Sequence, residues 1–220
     1  FDITSAVDCV LISHYHLDHT GALPFLHRQG YKGPIIMSSP TKIISQYLLA
    51  DFQKVCFSDA RSTSHQPDYF STSDINSLYN SQQYIHTVRL SQTFRIDDCI
   101  TVTPHYAGHV VGAVMWEINA QWVDPVTQRV HTKTIVYTGD YNVTSDSHLA
   151  SAHLPPGVLP DVLISESTYA TVVRESRRYT DLELMSKVLQ TIRQGGKVLI
   201  PVFALGRAQE LALVLHREWE

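Results

Sequence analysis

Apolar positions fall into two rhythms along the chain. In the first third, short apolar runs alternate with stretches in which apolar residues recur every three or four positions, whereas from Thr87 to Tyr137 the period tightens toward two. The first rhythm predicts strands alternating with helices and the second predicts successive strands. The run Val7-Asp8-Cys9-Val10-Leu11-Ile12-Ser13 reads as a strand, Gly21 to Leu26 as a short helix, and Gly33-Pro34-Ile35-Ile36-Met37 as a second, buried strand. Ser39-Pro40-Thr41 opens a longer helix, with Ile43, Ile44, Tyr47, Leu48, Phe52 and Val55 forming the stripe expected to face the core. Ser58 to Asp74 is polar, so a mobile surface loop is expected there with His65 solvated, and Ile75 to Tyr84 can form another helix.

Val88, Phe94 to Ile96, Ile100 to Thr103 and Val114 to Ile118 then read as strands, with Asp97-Asp98 as a turn. The polar segment Asp124 to Lys133 predicts a long hairpin connection before the strand Thr134 to Tyr137. Asp161 to Ile164 is expected to be a short buried strand, Asp181 to Arg193 a helix stopping at Gly195-Gly196, and Lys197 to Phe203 a strand. Gly206-Arg207-Ala208-Gln209-Glu210 opens a last helix. Strands flanked by helices near both ends indicate an α/β sandwich rather than an all-β fold. No internal repeat is evident.

Composition narrows the function classes. The chain has 220 residues, 44% of them hydrophobic, enough for one substantial core and the start of a second. A formal charge of −4 gives no basic footprint, so any polyanion must be gripped locally, by metal ions, a few Arg or Lys side chains, or a partner. Cys9, Cys56 and Cys99 are too widely spaced for a paired-ligand motif and read as reduced intracellular thiols. No apolar run is long enough to span a bilayer. Phe1 at the start and Trp219-Glu220 at the end, directly after a helical pattern, suggest a piece of a longer protein.

The chemistry concentrates where the first strand stops, in His14-Tyr15-His16-Leu17-Asp18-His19. At this spacing His14 and His16 can converge from a loop on one ion while Asp18 and His19 reach an adjacent one, and mixed nitrogen and oxygen donors suit zinc. A single histidine at a strand end is usually a satisfied polar residue. Four such donors in six positions are costly to bury without a metal or a dense hydrogen-bond network. Two later positions supply what the cluster lacks. His109, between Gly108 and Gly112, offers a third imidazole, and Asp140, after Thr138-Gly139 at a strand end, offers a carboxylate able to bridge two ions. Glu166 is a further acidic residue placed after a strand, with an N-cap or surface charge as its plain alternative. Arg207 sits at a helix N-terminus whose amides could hold a phosphate, against the simpler reading of a solvent-facing side chain at an ordinary turn.

These motifs resemble the β-CASP branch of the metallo-β-lactamase fold, the nucleases of RNA processing and DNA repair. The resemblance rests on His14-x-His16-x-Asp18-His19, His109, Asp140 and Glu166 within Glu-Ser-Thr-Tyr. It extends through His-Leu-Asp-His-x-Gly-Ala-Leu-Pro, Ala-Gly-His-Val-x-Gly-Ala, Tyr-Thr-Gly-Asp-Tyr-Asn and Ile-Pro-Val-Phe-Ala-Leu-Gly-Arg-Ala-Gln-Glu-Leu. It covers nearly the whole chain apart from Ser58 to Tyr84 and Asp124 to Lys133. These motifs are similar to a eukaryotic subfamily that cleaves RNA polymerase II transcripts near their 3′ ends. Gly30 to Ile35, Tyr141-Asn142, Ser167 to Thr171 and Gly196 to Leu199 favour its small-nuclear and nascent-RNA member over the pre-mRNA member. Thr20 stands where these relatives usually carry Cys.

The resemblance implies an αββα fold, incomplete at both ends, with residues 1–172 as the N-terminal portion of the lactamase-like domain and 173–220 as the first elements of an inserted β-CASP α/β domain. It implies two zinc ions, with His14, His16 and His109 on one, Asp18 and His19 on the other and Asp140 bridging. Asp18 and Glu166 would serve the chemistry, Glu166 by positioning a proton-donating histidine. An aspartate before the first cluster and two later histidines of the family pattern are not in this sequence, so the second ion's site is expected to be incomplete here. RNA as substrate, a nuclear setting and a multisubunit RNA-processing complex with a paralogous β-CASP partner follow in the same way, with no membrane. Three other readings stay open at this point: a small-molecule metallohydrolase of the same fold, a nuclease for other RNA or DNA substrates, and a non-catalytic scaffold.

Overall fold

The computed structural model describes residues 3–59, 70–173 and 175–219. The expected loop around His65 lies outside the described residues. The chain divides into two compact units, one of residues 1–143 with 152–166 and the other of 144–151 with 167–220.

The first unit begins with β1 (Val10–Leu11), α1 (Leu17–Thr20), α2 (Leu23–Arg28), β2 (Ile35–Ser38), α3 (Ser39–Asp59), α4 (Thr72–Tyr79) and β3 (Ile85–Val88). The three strands form a parallel sheet in the order β1-β2-β3, with Val10 opposite Ile35 and Ile35 opposite Ile85. A second sheet follows: β4 (Phe94–Arg95), β5 (Ile100–Tyr106), β6 (Val114–Val123), β7 (Val130–Tyr137) and β8 (Val162–Ile164) in sequential order. Its pairings are antiparallel except the last, where β8 runs parallel to β7.

Every residue of β2 is buried because the strand is covered on both faces. Ile35 and Met37 join Leu49, Ile75, Leu78 and Ile85 under the helices, while Ile36 packs with Val88, Val102, Val114 and Trp116 between the sheets. The result is a helix layer, a parallel sheet and a mixed sheet stacked in that order, a mixed α/β sandwich of the kind the hydrophobic pattern predicts.

Several elements depart from expectation for identifiable reasons. Only half of the apolar stripe of α3 faces the core: Ile44, Leu48 and Phe52 pack partly buried against it, while Ile43, Tyr47 and Val55 are exposed and Thr41, Ser45 and Leu49 are fully buried. Small hydroxyl residues can occupy that face because each is satisfied there. Thr41 donates to the Gly112 carbonyl, and Ser45 lies 2.8 Å from the Tyr79 hydroxyl. Burial pushes that phenol's pKa up to about 12, with the Ser45 hydrogen bond working against the shift.

The fourth helix starts before Ile75 because Ser71 and Asp74 form a reciprocal capping box. The hairpin connection is shorter than predicted. β7 already pairs at Val130, and Asp124 closes the turn by accepting the Val126 and Thr127 amides. β8 forms where expected but its three residues are exposed, since among the described residues only β7 pairs with it.

In the second unit, α5 (Arg177–Arg193) begins one turn earlier than Asp181, because Ser176 accepts the Tyr179 amide as N-cap. Met185 and Val188 are buried, as is Val214 of α6 (Arg207–Trp219), while Leu182 and Ile192 stay exposed. Residues 197–203 do not form the expected strand: among the described residues no chain pairs with them, and Leu199 and Phe203 are largely exposed. An apolar β-rich run needs a partner ladder before its pattern becomes a strand.

Polar groups of this unit converge on α6. Glu210, only 4% exposed, accepts the Ser147 amide at 2.9 Å, meets His148 Nδ1 at 2.6 Å and pairs with Arg177. Arg177 also pairs with Asp146, which Arg207 approaches to 3.7 Å. Burial opposes ionisation of Glu210, but hydrogen bonds from Ser147 and His148 and the Arg177 charge outweigh it and hold the carboxyl near 2.

Candidate metal centre

The end of β1 becomes a loop without losing its register. Ile12 still donates to the Ile36 carbonyl, and the Ser13 carbonyl accepts the Val114 amide at 2.8 Å, so the chain is fixed to both sheets as it leaves the core. Tyr15 turns into a cluster with Ala107, Val110 and Met115, which leaves His14 and His16 on the other side. Thr20 ends the short turn that follows, its hydroxyl donating back to the His16 carbonyl at 3.0 Å.

His109 arrives on the loop between β5 and β6. Gly112 there has a φ of +82°, and a Cβ on it would lie 2.7 Å from Pro40 and 2.8 Å from the Ser38 hydroxyl. That hydroxyl donates to the Gly112 carbonyl at 2.6 Å, which pins the loop to the β2–α3 junction. Asp140 follows β7 through Gly139, whose φ is +53° and whose Cβ position would be 2.5 Å from Ser13 Cβ. Only a glycine lets the two strand ends touch there.

These arms bring one donor atom each from His14, His16, His109 and Asp140 within 4.8 Å of one another. His14 Nε2 is 2.9 Å from His16 Nδ1, which is 3.3 Å from His109 Nε2. Asp140 Oδ2 lies 3.6 Å from His109 Nε2 and 3.9 Å from His14 Nε2. Ligands at about 2.05 Å around a tetrahedral ion would stand roughly 3.3 Å apart, so these separations bracket that value. The donor set of three imidazoles and a carboxylate fits a divalent metal. The second carboxylate oxygen faces the other way. Asp140 Oδ1 is 3.5 Å from His19 Nε2, which is 3.4 Å from Asp18 Oδ2.

Burial, with the neighbouring histidines His19, His109 and His16 adding to it, lowers the His14 pKa to about 2. His16 is also lowered, by burial first, with Asp18 and Asp140 opposing. Both are therefore neutral at physiological pH, the form that ligates.

Ser13, which the motif reading passes over, completes the arrangement. Its hydroxyl lies 3.1 Å from His14 Nδ1 and 3.2 Å from His19 Nδ1, holding both rings by their rear nitrogens with each Nε2 directed at Asp140. A serine closing a buried strand immediately before clustered histidines is the signal that could have found it. Glu166 stands just past β8, and its carboxylate accepts the Tyr141 amide at 3.2 Å, one residue beyond Asp140. Thr138 supports the same turn, receiving the Glu166 amide and donating to the Gly139 carbonyl. Arg207 is in the second unit, beside Asp146 with its side chain 62% exposed, and Gln209 caps the Gly206 amide at 2.7 Å.

The fold and this cluster of strand-end donors define a mixed α/β domain with a group of residues that could hold a metal ion. Residues 2–168 match the metallo-beta-lactamase superfamily domain, and the chain belongs to that superfamily. It is 45% identical over 219 residues to Integrator complex subunit 11 of Danio rerio, across 99% of this chain and 34% of that protein. It is 42% identical over 220 residues to cleavage and polyadenylation specificity factor subunit 3-II of Arabidopsis thaliana, across the whole chain and 33% of that protein. Endoribonuclease YSH1 of Yarrowia lipolytica is 39% identical over 221 residues, across the whole chain and 24% of that protein. The chain thus spans a quarter to a third of the length of these relatives. No helix among the described residues is long and apolar enough to cross a membrane, and Cys9, Cys56 and Cys99 are free thiols.

Proposed function

We propose that this chain carries the metal-binding half of a zinc-dependent RNA endonuclease that cuts RNA polymerase II transcripts, of the Integrator type. The observation that carries the reading is the division of Asp140 between two groups of donors, Oδ2 toward His14 and His109 and Oδ1 toward His19. His14, His16 and His109 with Asp140 would hold one zinc ion, and Asp18 and His19 with Asp140 a second. Such a pair supplies Lewis acidity for a phosphodiester and water ionisable near neutral pH.

The chain's own residues prepare that chemistry. Ser13 orients two imidazoles, burial keeps His14 neutral, and the Tyr141 amide fixes Glu166, which would position a proton donor for the leaving oxygen. The names of the relatives, a subunit of a complex and an endoribonuclease among them, support RNA as substrate and work within a multisubunit complex; a paralogous β-CASP partner and a nuclear setting belong to the same proposal. Residues 173–220 would be the first elements of a β-CASP domain, with Arg207 available to the RNA backbone.

Asp140→Asn in the full-length protein is the direct test. Loss of several kcal/mol of electrostatic stabilisation corresponds to roughly a 10³-fold slower cleavage, accompanied by fewer zinc ions per chain in elemental analysis. Retention of both ions and full RNA cleavage would falsify the assignment. Cleavage of a chromogenic lactam but not RNA would instead favour a small-molecule hydrolase.

A further inference from the structure

The first unit has a second concave feature beside the donor cluster. An open cleft of about 500 Å³ is lined by Leu17, Ala22, Phe25, Phe52 and Phe70, with Asp18 the only charged lining residue among the described residues. Its size and apolar lining are those of a ligand site. Phe70 is buried and Phe52 half-buried, their rings 6.3 Å apart, so they form a firm floor. Phe25 is 43% exposed, so its ring is open to a ligand entering from solvent.

Resting on the endonuclease reading above, we infer that this cleft is a base-binding subsite in which an unpaired nucleobase of the RNA, flanking the phosphate at the metal centre, stacks on Phe25. Two observations select this occupant. Asp18 both lines the cleft and stands 3.4 Å from His19 Nε2, so the cleft and the donor cluster share a wall. Whatever fills the cleft is therefore adjacent to a molecule bound at the cluster. Next, the Arg28 guanidinium, 3.9 Å from the Asp74 carboxylate, lies over the Phe25 ring at 5.4 Å from its centroid. A cation beside an aromatic platform complements a strand that presents flat bases on a polyanionic backbone.

The lining also says what the subsite would read. Apart from Asp18 it offers rings and aliphatic side chains, which grip the face of a base and leave its hydrogen-bonding edges at the open mouth. Recognition would then be tolerant of sequence and stronger for the larger purine face, since stacking requires only a π surface.

The test uses the full-length protein and separates this inference from the reading it rests on. Zinc-loaded wild type is first used to map the cleaved bond in a short single-stranded RNA. Binding of the same RNA is then measured in EDTA by fluorescence anisotropy, with a single abasic residue moved along the strand. An abasic residue at one position next to the cleaved bond should weaken wild-type binding about tenfold. Phe25→Ala and Phe25→Leu should bind intact RNA about tenfold more weakly and be indifferent to that abasic residue. Phe25 is exposed enough for both variants to fold.

If wild type cleaves RNA but tolerates every abasic position equally, the subsite is wrong and the nuclease stands. The subsite is equally overturned if Phe25→Ala weakens intact and abasic RNA by the same factor, because something other than a base then occupies the cleft. Failure of the zinc-loaded protein to cleave RNA at all overturns both.

Discussion

Two polar clusters, one in each unit, differ in how their charges are resolved. Around Glu210 every carboxylate meets a cation: Arg177 serves Asp146 and Glu210, and His148 and the Ser147 amide complete the shell. Around Asp140 the surroundings are four imidazoles and the Asp18 carboxylate, with ring nitrogens of His14, His16 and His109 turned toward one another. The Glu210 cluster neutralises itself and so is explained by stability. The Asp140 cluster instead gathers ligating atoms of three imidazoles and a carboxylate within 4.8 Å of one another, and that donor set marks it as a place for cations. Proximity of polar residues is common to both, and only the balance of charge separates a structural network from a metal site.

That contrast can be tested from the network side first. Arg177→Met would leave the buried carboxylates of Asp146 and Glu210 short of their main cation. It should destabilise the full-length protein by about 3–5 kcal/mol in chemical unfolding while zinc content per chain is unchanged. A parallel loss of zinc would erase the distinction between the clusters.

Acid comes next. The folded-state pKa of Glu210, near 2, lies below its ordinary value of 4.5, so the carboxylate's contribution is complete above about pH 4.5 and lost as pH falls toward 2. Wild type should exceed Glu210→Gln in unfolding free energy by roughly 3 kcal/mol above pH 5. The gap should close toward pH 2, whereas a constant gap would mean the charge is not what stabilises the unit.

The smallest effect belongs to Ser13. Ser13→Ala should weaken zinc binding about 10- to 100-fold, read by competition with a chelator, with unfolding of the metal-free protein little changed. Unaltered affinity would show that the rings need no such support.

Much of the donor cluster was legible because four of its members sit within six residues at a strand end. His109 and Asp140 could be added because glycines mark the turns that present them. Ser13 was not, since its role depends on two rings reaching it from either side, which no periodicity encodes. The hydroxyl residues on the buried face of α3 escaped notice for a similar reason. Thr41 and Ser45 are polar by composition but buried by virtue of partners 71 and 34 residues away. Pattern also overstated Lys197 to Phe203 and the burial of β8, because alternation reports what a segment can pair with and cover, not whether that neighbour is at hand.

The Val114 amide, held by the Ser13 carbonyl, places the origin of the histidine arm on the first residue of β6. Swinging that arm outward would therefore also unzip the mixed sheet at the buried start of β6, where Val114, Met115 and Trp116 lie. The cost of such a motion makes the three-imidazole geometry a preset of the scaffold, in place before any ion arrives.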